Sequence, residues 1–506
     1  MRPRRTIVTT AVIVSLIGAL PGSAMSSAIS PRSAGSPAGS TAGKDAVHAW
    51  LTTGDKKNLL AQRDDMIGAP DGTVPTITVD PAKTFQKVEG FGASITDSSA
   101  HLIANSPHRD AIMRDLFDPR RGLGLSYLRQ PMGASDFVAG PHYTYDDVPA
   151  GQTDYGLKRF SIAHDKAEIL PLLRQARALN PRLKVMATPW SPPAWMKTNG
   201  SLIGGRFIDD QRVYDTYAQY FVKFVKAYRD AGVPIDAVTL QNEPQNRNPS
   251  GYPGMDLRDS EQARLAIAVG SAFDKAGLKT KILGYDHNWS LHPNDVGPPD
   301  DAANPEYAKS VLDDAKARRH IDGTAFHCYF GDAEQQSRLH DAHPDKDIYF
   351  TECSGTESGD RATTFPDTLH WHTANLTVRG TRNWAKTVIT WNLALDPEGG
   401  PHNGGCDTCT GVVTIDPATG EATPGADYYV FGHVSRFVRP GAVRVDSSVA
   451  GNIVTTAFRD VDGTVTLLAV NDDWGTGSQR FNVQAGGRTF SYTLPAGAVA
   501  TFTLGR

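Results

Sequence analysis

Cysteine is scarce in this sequence, and beyond the N-terminus there is no apolar run long enough to cross a membrane. Four cysteines in 506 residues are too few for a fold that depends on disulfides. Basic clusters are also missing, and 51 Lys and Arg against 55 Asp and Glu give a net charge of −4. These absences argue against stable membrane insertion and against a nucleic-acid partner.

The first 45 residues have the composition of an export signal followed by a linker. Three arginines within residues 2–5 precede a mostly apolar stretch at 7–20, and a small residue that suits signal peptidase, Ala24, follows. Residues 25–45 are dominated by Ser, Gly, Pro and Ala, which leave little to bury. We therefore expect a signal peptide at 1–24, a disordered linker at 25–45, and a secreted, extracellular protein.

From Val88 onward, short β-branched runs alternate with amphipathic helical stretches, of which 213–231 is the clearest. The eight predicted strands are 88–93, 125–131, 183–188, 235–241, 279–285, 323–329, 347–351 and 386–391. Eight such units predict an α/β fold, a closed (β/α)₈ barrel over residues 86–440. An open doubly wound sheet is the alternative, but no Gly-rich phosphate turn follows any predicted strand.

After Gly441 the helical period gives way to short alternating segments separated by Gly and Asp turns. This pattern predicts an antiparallel β-sandwich over 441–506. Its edges would stay exposed unless strands from residues 46–85 cover them. We therefore expect an attached sandwich domain built from both chain ends.

Two of the predicted strands end in a glutamate, and active sites of such barrels lie at the C-terminal ends of the strands. Residues 235–241 run into Asn242-Glu243-Pro244, and 347–351 run into Glu352-Cys353. A lone glutamate at a strand end is more often solvated or ion-paired. Two at corresponding positions predict the carboxyl pair of a retaining glycosidase, with Asn242 as a ligand of the sugar 2-hydroxyl.

Aromatic and polar side chains follow the other predicted strands. The expected platforms for pyranose rings are Trp190, Trp289, Tyr329 and Trp391. Each of these could equally be a core aromatic residue. Arg129 and Asp136 would bind hydroxyls or orient the glutamates, unless they only brace the barrel as a salt bridge. A metal site at His327 would need spaced Cys or His partners that the sequence does not supply.

The four cysteines fall into two pairs. Cys406 and Cys409 lie in a Gly-rich loop, where an exported protein is expected to form a disulfide, although a redox-active pair has the same spacing. Cys328 and Cys353 lie on neighbouring predicted strands beside inward-pointing residues, so both are expected to face outward. They could be buried thiols or a bridge.

Together these segments resemble glycoside hydrolase family 30, the glucosylceramidase-like family. The matching motifs, in order, are Gly90-Phe91-Gly92-Ala93, Arg129-Gln130-Pro131-Met132, Thr188-Pro189-Trp190-Ser191, Asn242-Glu243-Pro244, His327-Cys328-Tyr329, Glu352-Cys353 and Trp391-Asn392. The resemblance implies a retaining mechanism with Glu243 as acid/base and Glu352 as nucleophile. It implies a β-linked glycan or glycoside as substrate and no metal or organic cofactor. The substrate-binding residues it supports are Arg129, Asp136, Trp190, Asn242, Tyr329 and Trp391, and we also expect His327, from the His327-Cys328-Tyr329 motif, to bind substrate.

The substrate is expected from features outside those motifs. After Pro401 the chain enters the Cys406/Cys409 loop, which departs from the lipid-cleaving animal enzymes and should border the aglycone side. Export without an anchor favours β-1,6-glucan, followed by glucosylceramide-type substrates. The alternatives are β-1,6-galactan, xylan, or a catalytically inactive carbohydrate-binding protein, which would usually have lost a carboxylate. As an acid, Glu243 is expected to have a raised pKa, helped by the charge of Glu352.

Overall fold

Three strands precede the barrel in the computed structural model, which describes residues 46–247, 249–295, 303–357, 360–475 and 477–505. They are β1 (Val47–Thr52), β2 (Ala61–Gln62) and β3 (Thr76–Lys87). The predicted signal peptide and the predicted linker, together residues 1–45, lie outside the described residues. Among those that are described, no helix is both long and apolar enough to span a bilayer.

Eight parallel strands then close into a barrel, which confirms the predicted fold class. These strands are β4 (Gly90–Ser94), β5 (Tyr127–Pro131), β6 (Lys184–Thr188), β7 (Ala237–Thr239), β8 (Lys281–Asn288), β9 (Gly323–His327), β10 (Asp347–Glu352) and β11 (Ala385–Asn392). They follow one another around the barrel in chain order, and β11 pairs with β4 to close it. Their C-terminal ends therefore meet at one face.

Helices surround the barrel. They are α1 (Asp97–Asn105), α2 (Arg109–Phe117), α3 (Ile169–Leu179), α4 (Gln211–Asp230), α5 (Asp259–Ala276), α6 (Tyr307–Asp313), α7 (Ala315–Arg318), α8 (Glu334–Ala342), α9 (Arg361–Trp371), α10 (Gly380–Arg382) and α11 (Ala426–Gly432). A π-helical segment, His372–Arg379, joins α9 to α10. Helix α4 begins where Asp210 accepts a hydrogen bond from the Arg212 amide, and its apolar residues recur every three or four positions on the buried face.

The remaining strands form two sheets. A small one contains β12 (Ala394–Leu395), β13 (Val413–Ile415) and β14 (Ala422–Pro424). The sandwich domain adds β15 (Val443–Ser447), β16 (Ile453–Arg459), β17 (Val465–Asn471), β18 (Gln479–Ala485), β19 (Arg488–Leu494) and β20 (Val499–Leu504). Strand β1 pairs with β20, and β3 lies between β15 and β18, so both chain ends build this domain. The β3–β18 pair is parallel, unlike the antiparallel pairing expected throughout.

Three buried layers hold these elements together. The barrel interior is filled by Tyr127, Met186, Ala237, Leu283, Ala325, Tyr349 and Ile389. A second core lies between strands and helices, and it includes sandwich residues such as Phe458 and Leu468. The third lies within the sandwich and includes Leu467 and Phe502. Adjacent residues of β17 thus point into different cores, as strand geometry requires.

Candidate active site

A cavity of about 390 Å³ opens at the C-terminal ends of the barrel strands. Seven of the nine predicted site residues line it: Asp136, Trp190, Asn242, Glu243, Tyr329, Glu352 and Trp391. The other two, Arg129 and His327, are fully buried and contact the glutamates directly. The barrel therefore brings all nine predicted residues together, although they come from strands spread over more than 260 positions.

Glu243 reaches the cavity through an unusual backbone turn after β7. Its φ is 46°, in the left-handed region that residues other than glycine rarely occupy. Two hydrogen bonds hold the turn, because the amide of Glu243 donates to the Asp286 carbonyl at 2.9 Å and that of Asn242 donates to the Pro189 carbonyl at 2.8 Å. Such strain persists where surrounding structure fixes it, and it is typical of functional sites.

The two glutamates face each other closely. One carboxylate oxygen from each, together with a ring nitrogen of His327, lie within 4.8 Å of one another. Glu352 accepts hydrogen bonds from Arg129 Nη1 and from the Tyr329 hydroxyl, the latter at 2.9 Å. This separation fits the roughly 5–5.5 Å of retaining glycosidases and is shorter than the roughly 6.5–9.5 Å of inverting ones.

His327 lies between the two carboxylates. Its Nδ1 is 3.4 Å from Glu243 Oε1 and 3.8 Å from Glu352 Oε1, while its Nε2 is 2.9 Å from Asp286 Oδ1. These donors are close enough to contact one cation together. Because Arg129 already neutralises Glu352, we interpret the cluster as acid–base machinery rather than a metal centre.

Asp286 is the main site residue that the predictions missed. It is fully buried, and its carboxylate accepts hydrogen bonds from Arg129 Nη2 at 3.0 Å and from the Thr239 and Thr351 hydroxyls at 2.6 and 2.8 Å. Tyr285 and Asp286 have φ values of 66° and 69°, and the β8 register shifts here. The polar run after the fifth predicted strand was a signal, but this bulge, which aims Asp286 inward, was not visible in the sequence.

The charges at the site place a proton on His327 rather than on Glu243. Burial would lower the pKa of the His327 imidazole, but the carboxylates of Glu352 and Asp286 raise it to about 9. Burial would likewise raise the pKa of Glu243, but its contact with the His327 imidazolium lowers it to about 2. The expected raised pKa of Glu243 is therefore wrong for the free site, because the sequence did not reveal a cation beside it.

The cavity lining also contains an acid and two tryptophans. Burial, and then the charge of Glu352, raise the pKa of Asp136 to about 8. The Trp190 and Trp391 rings stack with centroids 5.0 Å apart, and the Arg129 guanidinium lies 4.8 Å from the Trp190 ring. These rings therefore hold a buried cation as well as presenting a face to the cavity.

Trp289 does not belong to the site, so its prediction as a sugar platform is wrong. Its ring is buried in the core between strands and helices, 5.4 Å from Phe350, and its Nε1 donates to Gln336 at 2.7 Å. The β8 bulge is the physical reason. An extra residue reverses the inward and outward alternation beyond Tyr285, so Trp289 faces outward while Asp286 faces inward.

Both cysteine pairs are bonded. Cys406 and Cys409 form a disulfide within a loop that lines the cavity together with Tyr329 and Glu352. Cys328 and Cys353 form a second bond, which decides between the two alternatives left open above. Their sulfurs lie in the outer core, away from the barrel interior, as expected for residues beside inward-pointing ones.

Comparisons with known proteins agree with this geometry. Residues 88–438 match the Glycosyl hydrolase family 30 TIM-barrel domain, and residues 441–502 match the family's beta sandwich domain. The chain is 34% identical over 411 residues to an endo-1,6-beta-D-glucanase of Neurospora crassa, covering 79% of each. It is 29% identical over 425 residues to the lysosomal acid glucosylceramidase of Mus musculus, covering 79% of this chain and 78% of that relative.

A solved structure extends the likeness to the whole fold. That of an endo-beta1,6-glucanase superposes with a TM-score of 0.80 at 32% identity, covering 91% of this chain and 100% of the other. Both domains and the paired glutamates thus agree with one assignment. The chain belongs to glycoside hydrolase family 30 and is a retaining glycoside hydrolase.

Proposed function

We propose that the chain hydrolyses β-1,6-glucosidic bonds in glucan by double displacement, with Glu352 as nucleophile and Glu243 as acid/base. The observation that carries the proposal is the pair of glutamate oxygens within 4.8 Å, placed at the tips of β7 and β10. A gap of this size leaves no room for the water that an inverting mechanism places between its carboxyl groups.

The contacts of the two glutamates support different roles. Glu352 is held by the Arg129 guanidinium, a contact that fixes the position of its carboxylate for attack as a nucleophile. The partners of the Glu243 carboxylate include Asn246 Nδ2 at 3.1 Å and His327. A neighbour that can give and take a proton suits an acid/base residue.

In the first step, a Glu352 oxygen bonds to the anomeric carbon as the bond to the leaving oxygen breaks, and that oxygen receives a proton from Glu243. In the second step, Glu243 takes a proton from water. The oxygen of that water displaces Glu352 and releases the sugar with its original anomeric configuration. Each step inverts the anomeric carbon once, so the net outcome is retention.

The proton used in the first step is held on His327 in the free enzyme. His327 Nδ1 lies 3.4 Å from Glu243 Oε1, so the two groups titrate as a pair that shares one proton. Sugar binding removes water from the pair and disfavours the separated charges, which moves the proton toward Glu243. Asp136, whose pKa is raised, keeps a proton at neutral pH with which it can donate to a sugar hydroxyl.

Similarity to endo-1,6-beta-glucanases supports β-1,6-glucan as the substrate. Glucosylceramide is the second candidate, favoured by the match to the mouse glucosylceramidase over 79% of the chain. Both are β-glucosides, so the same pair of glutamates and the same sugar-binding wall would serve either. The two substrates differ in the leaving group, which must pass the Cys406–Cys409 loop at the edge of the cavity.

Product analysis separates these substrates. The enzyme is incubated with β-1,6-glucan, β-1,6-galactan, xylan and glucosylceramide, and we expect gluco-oligosaccharides from the first, released initially as the β-anomer in proton NMR. Glu352→Gln should lose at least about 10³-fold in kcat. Activity on glucosylceramide alone would contradict the substrate, and an α-anomer as first product would contradict the mechanism.

A matched variant tests the acid/base role. Glu243→Gln should keep measurable cleavage of an aryl β-glucoside with a good leaving group, since that group departs without a proton, but hydrolysis of glucan should fall by about 10²–10⁴-fold. Added azide should restore turnover of the aryl substrate and yield a β-glucosyl azide. No such rescue is expected for Glu352→Gln, and finding it there would reverse the two assignments.

We also propose that the enzyme acts outside the cell. The basic start, the apolar stretch at 7–20 and the small residues near Ala24 support this proposal. Cell fractionation with N-terminal sequencing tests it, and we expect the recovered protein to begin near residue 25. Full-length protein confined to the cytosol would contradict export.

A further inference from the structure

The Cys328–Cys353 disulfide joins two strand tips that carry much of the active site. Cys328 lies between His327 and Tyr329 in the chain, and Cys353 directly follows Glu352. The Cα atoms of the two cysteines are 5.4 Å apart. One covalent bond therefore ties the segment bearing His327 and Tyr329 to the segment bearing Glu352.

Backbone pairing between β9 and β10 is irregular next to this bond. The ladder between β9 and β10 is regular from Asp347 to Phe350, and its register then shifts before Glu352. Beyond Cys353 the chain leaves the sheet, and the Cys353 carbonyl instead accepts a hydrogen bond from the Trp391 amide at 2.8 Å. Regular pairing thus ends at Phe350, and Glu352 pairs with His327 only beyond a register shift.

The disulfide itself does not line the cavity. Cys328 is 7% exposed and Cys353 1%, and both sulfurs lie in the core between strands and helices. Neither cysteine lines the cavity, in contrast to Cys406 and Cys409. Any effect of this bond on turnover must therefore pass through the neighbouring residues.

Two contacts between the C-terminal ends of β9 and β10 depend on the relative position of these ends. The Tyr329 hydroxyl donates to Glu352 Oε1 at 2.9 Å, and His327 Nδ1 is 3.8 Å from the same oxygen. Reacting groups displaced by about 1 Å can cost about 10²-fold in rate. A hinge between these two tips would move both contacts at once.

We propose that Cys328 and Cys353 are positioning residues whose disulfide holds His327 and Tyr329 in register with Glu352. The proposal rests on the proposed roles of Glu352 and Glu243. It assigns the bond a function in turnover in addition to its contribution to stability. The second disulfide, which lines the cavity, would instead shape the space for the leaving group.

The variant Cys328→Ala/Cys353→Ala tests the proposal. With an aryl β-glucoside we expect kcat to fall by about 10–100-fold while KM stays within about threefold, because the ground-state sugar contacts remain. On a β-glucoside with a poor leaving group, whose cleavage needs the proton, the alkaline limb of kcat/KM should also move to lower pH, since His327 would hold its proton less tightly when its carboxylate partners are displaced. Cys406→Ala/Cys409→Ala is the comparison, and we expect it to raise KM more than it lowers kcat.

A double-mutant cycle gives a second readout. Tyr329→Phe removes one contact between the ends of β9 and β10. It should lower kcat by a smaller factor in the variant that lacks the disulfide than in the wild type. A folded double-alanine variant, judged by circular dichroism, that keeps kcat within about twofold and an unchanged pH profile would overturn the proposal. Full additivity with Tyr329→Phe would overturn it too.

The wild type provides the test if the alanine variant does not fold. The chain is titrated with a phosphine reductant, opened cysteines are counted by alkylation and mass spectrometry, and kcat is followed in parallel. We expect kcat to fall as the Cys328–Cys353 bond opens and to recover on reoxidation, and full kcat with that bond open would overturn the proposal. The aryl substrate keeps this outcome separate from the choice of β-1,6-glucan, and the loss in Glu352→Gln reports independently on the mechanism.

Discussion

At the scale of single residues, one proton shared by His327 and Glu243 governs the charge of the site. Asp286 accepts from His327 Nε2, so the other ring nitrogen faces both glutamates. The pKa of His327 is raised to about 9, so the pair keeps its proton across neutral pH and loses it in alkali. Cleavage that needs this proton should therefore decline on the alkaline side as the pair deprotonates.

His327→Gln tests this dependence, because glutamine can still donate to Asp286 but carries no titratable proton. We expect the alkaline limb of kcat/KM to move down by about 1–3 pH units, since the proton must then reside on Glu243 alone. The measurement is the pH profile on a β-glucoside with a poor leaving group. His108→Gln, an exposed histidine at the start of α2, is the control and should leave the profile unchanged. An unshifted alkaline limb in His327→Gln would show that the proton comes from elsewhere.

At the scale of elements, the N-terminal ends of the barrel strands converge on Glu89. Its carboxylate contacts Lys184 Nζ at 2.9 Å, Lys281 Nζ at 2.8 Å and the Tyr349 hydroxyl at 3.0 Å, which come from β6, β8 and β10. Burial would raise the pKa of Glu89, but these lysines lower it to about 2. This end of the barrel lies away from the face that carries the cavity. Residues at this end of such barrels serve stability rather than chemistry.

Glu89→Gln should therefore destabilise the fold and spare the chemistry. Removing one partner from a buried ion pair costs about 3–5 kcal/mol in the free energy of unfolding, and kcat should stay near wild type. A carboxylate whose pKa is lower in the folded state than in the unfolded state stabilises the fold at pH values above its unfolded pKa. This stabilisation is lost as pH falls through the folded pKa, so wild-type stability should drop between about pH 4.5 and pH 2. Urea melts over this range should show a flatter dependence for Glu89→Gln. The exposed control Glu421→Gln should match the wild type, and equal stabilities for both variants would contradict this role of Glu89.

The sequence predicted the barrel strands well at their C-terminal ends and poorly where a strand departs from regular alternation. Glu243 and Glu352 follow short buried runs, and an apolar run that ends in a carboxylate can be recognised from the sequence alone. The β8 bulge was not, because it depends on positive φ at Tyr285 and Asp286. That one irregularity accounts for both errors, the missed Asp286 and the misassigned Trp289.

Strand β3 shows the same limit at the edge of the sandwich. Alternation in the sequence covers only the first part of β3, up to Val79, and Asp80 and Pro81 disfavour a strand, yet β3 continues to Lys87. It does so because β15 pairs with both halves across register shifts. Tertiary pairing of this kind overrides local preference, and a partner more than 350 positions away cannot be found from local pattern.

At the scale of the whole molecule, the barrel and the sandwich share a core. Leu468 on β17 packs with the barrel helices, whereas its neighbour Leu467 packs inside the sandwich, and both are fully buried. The sandwich therefore covers apolar surface of the barrel and is not merely tethered to it by a linker. We expect the two domains to unfold together.

The neighbouring leucines make a matched pair of tests. Leu468→Ala and Leu467→Ala should each lower the free energy of unfolding by about 2–5 kcal/mol, and each should leave a single transition. Far-ultraviolet circular dichroism, which reports the whole chain, and residual activity, which reports the barrel, should give the same midpoint. Two separate transitions in Leu467→Ala, with activity surviving the first, would show that the sandwich unfolds independently.

The pairing of β1 with β20 has a consequence for biosynthesis. Val47 lies opposite Leu504, so β1 can pair with its neighbour only after residues 499–504 have been made. Strand β3 waits similarly for β15 and β18. The sandwich therefore cannot close before β20 has been made, and the barrel surface that it covers stays exposed until then. Fusion partners at the two ends of the described chain would emerge side by side at this part of the sandwich.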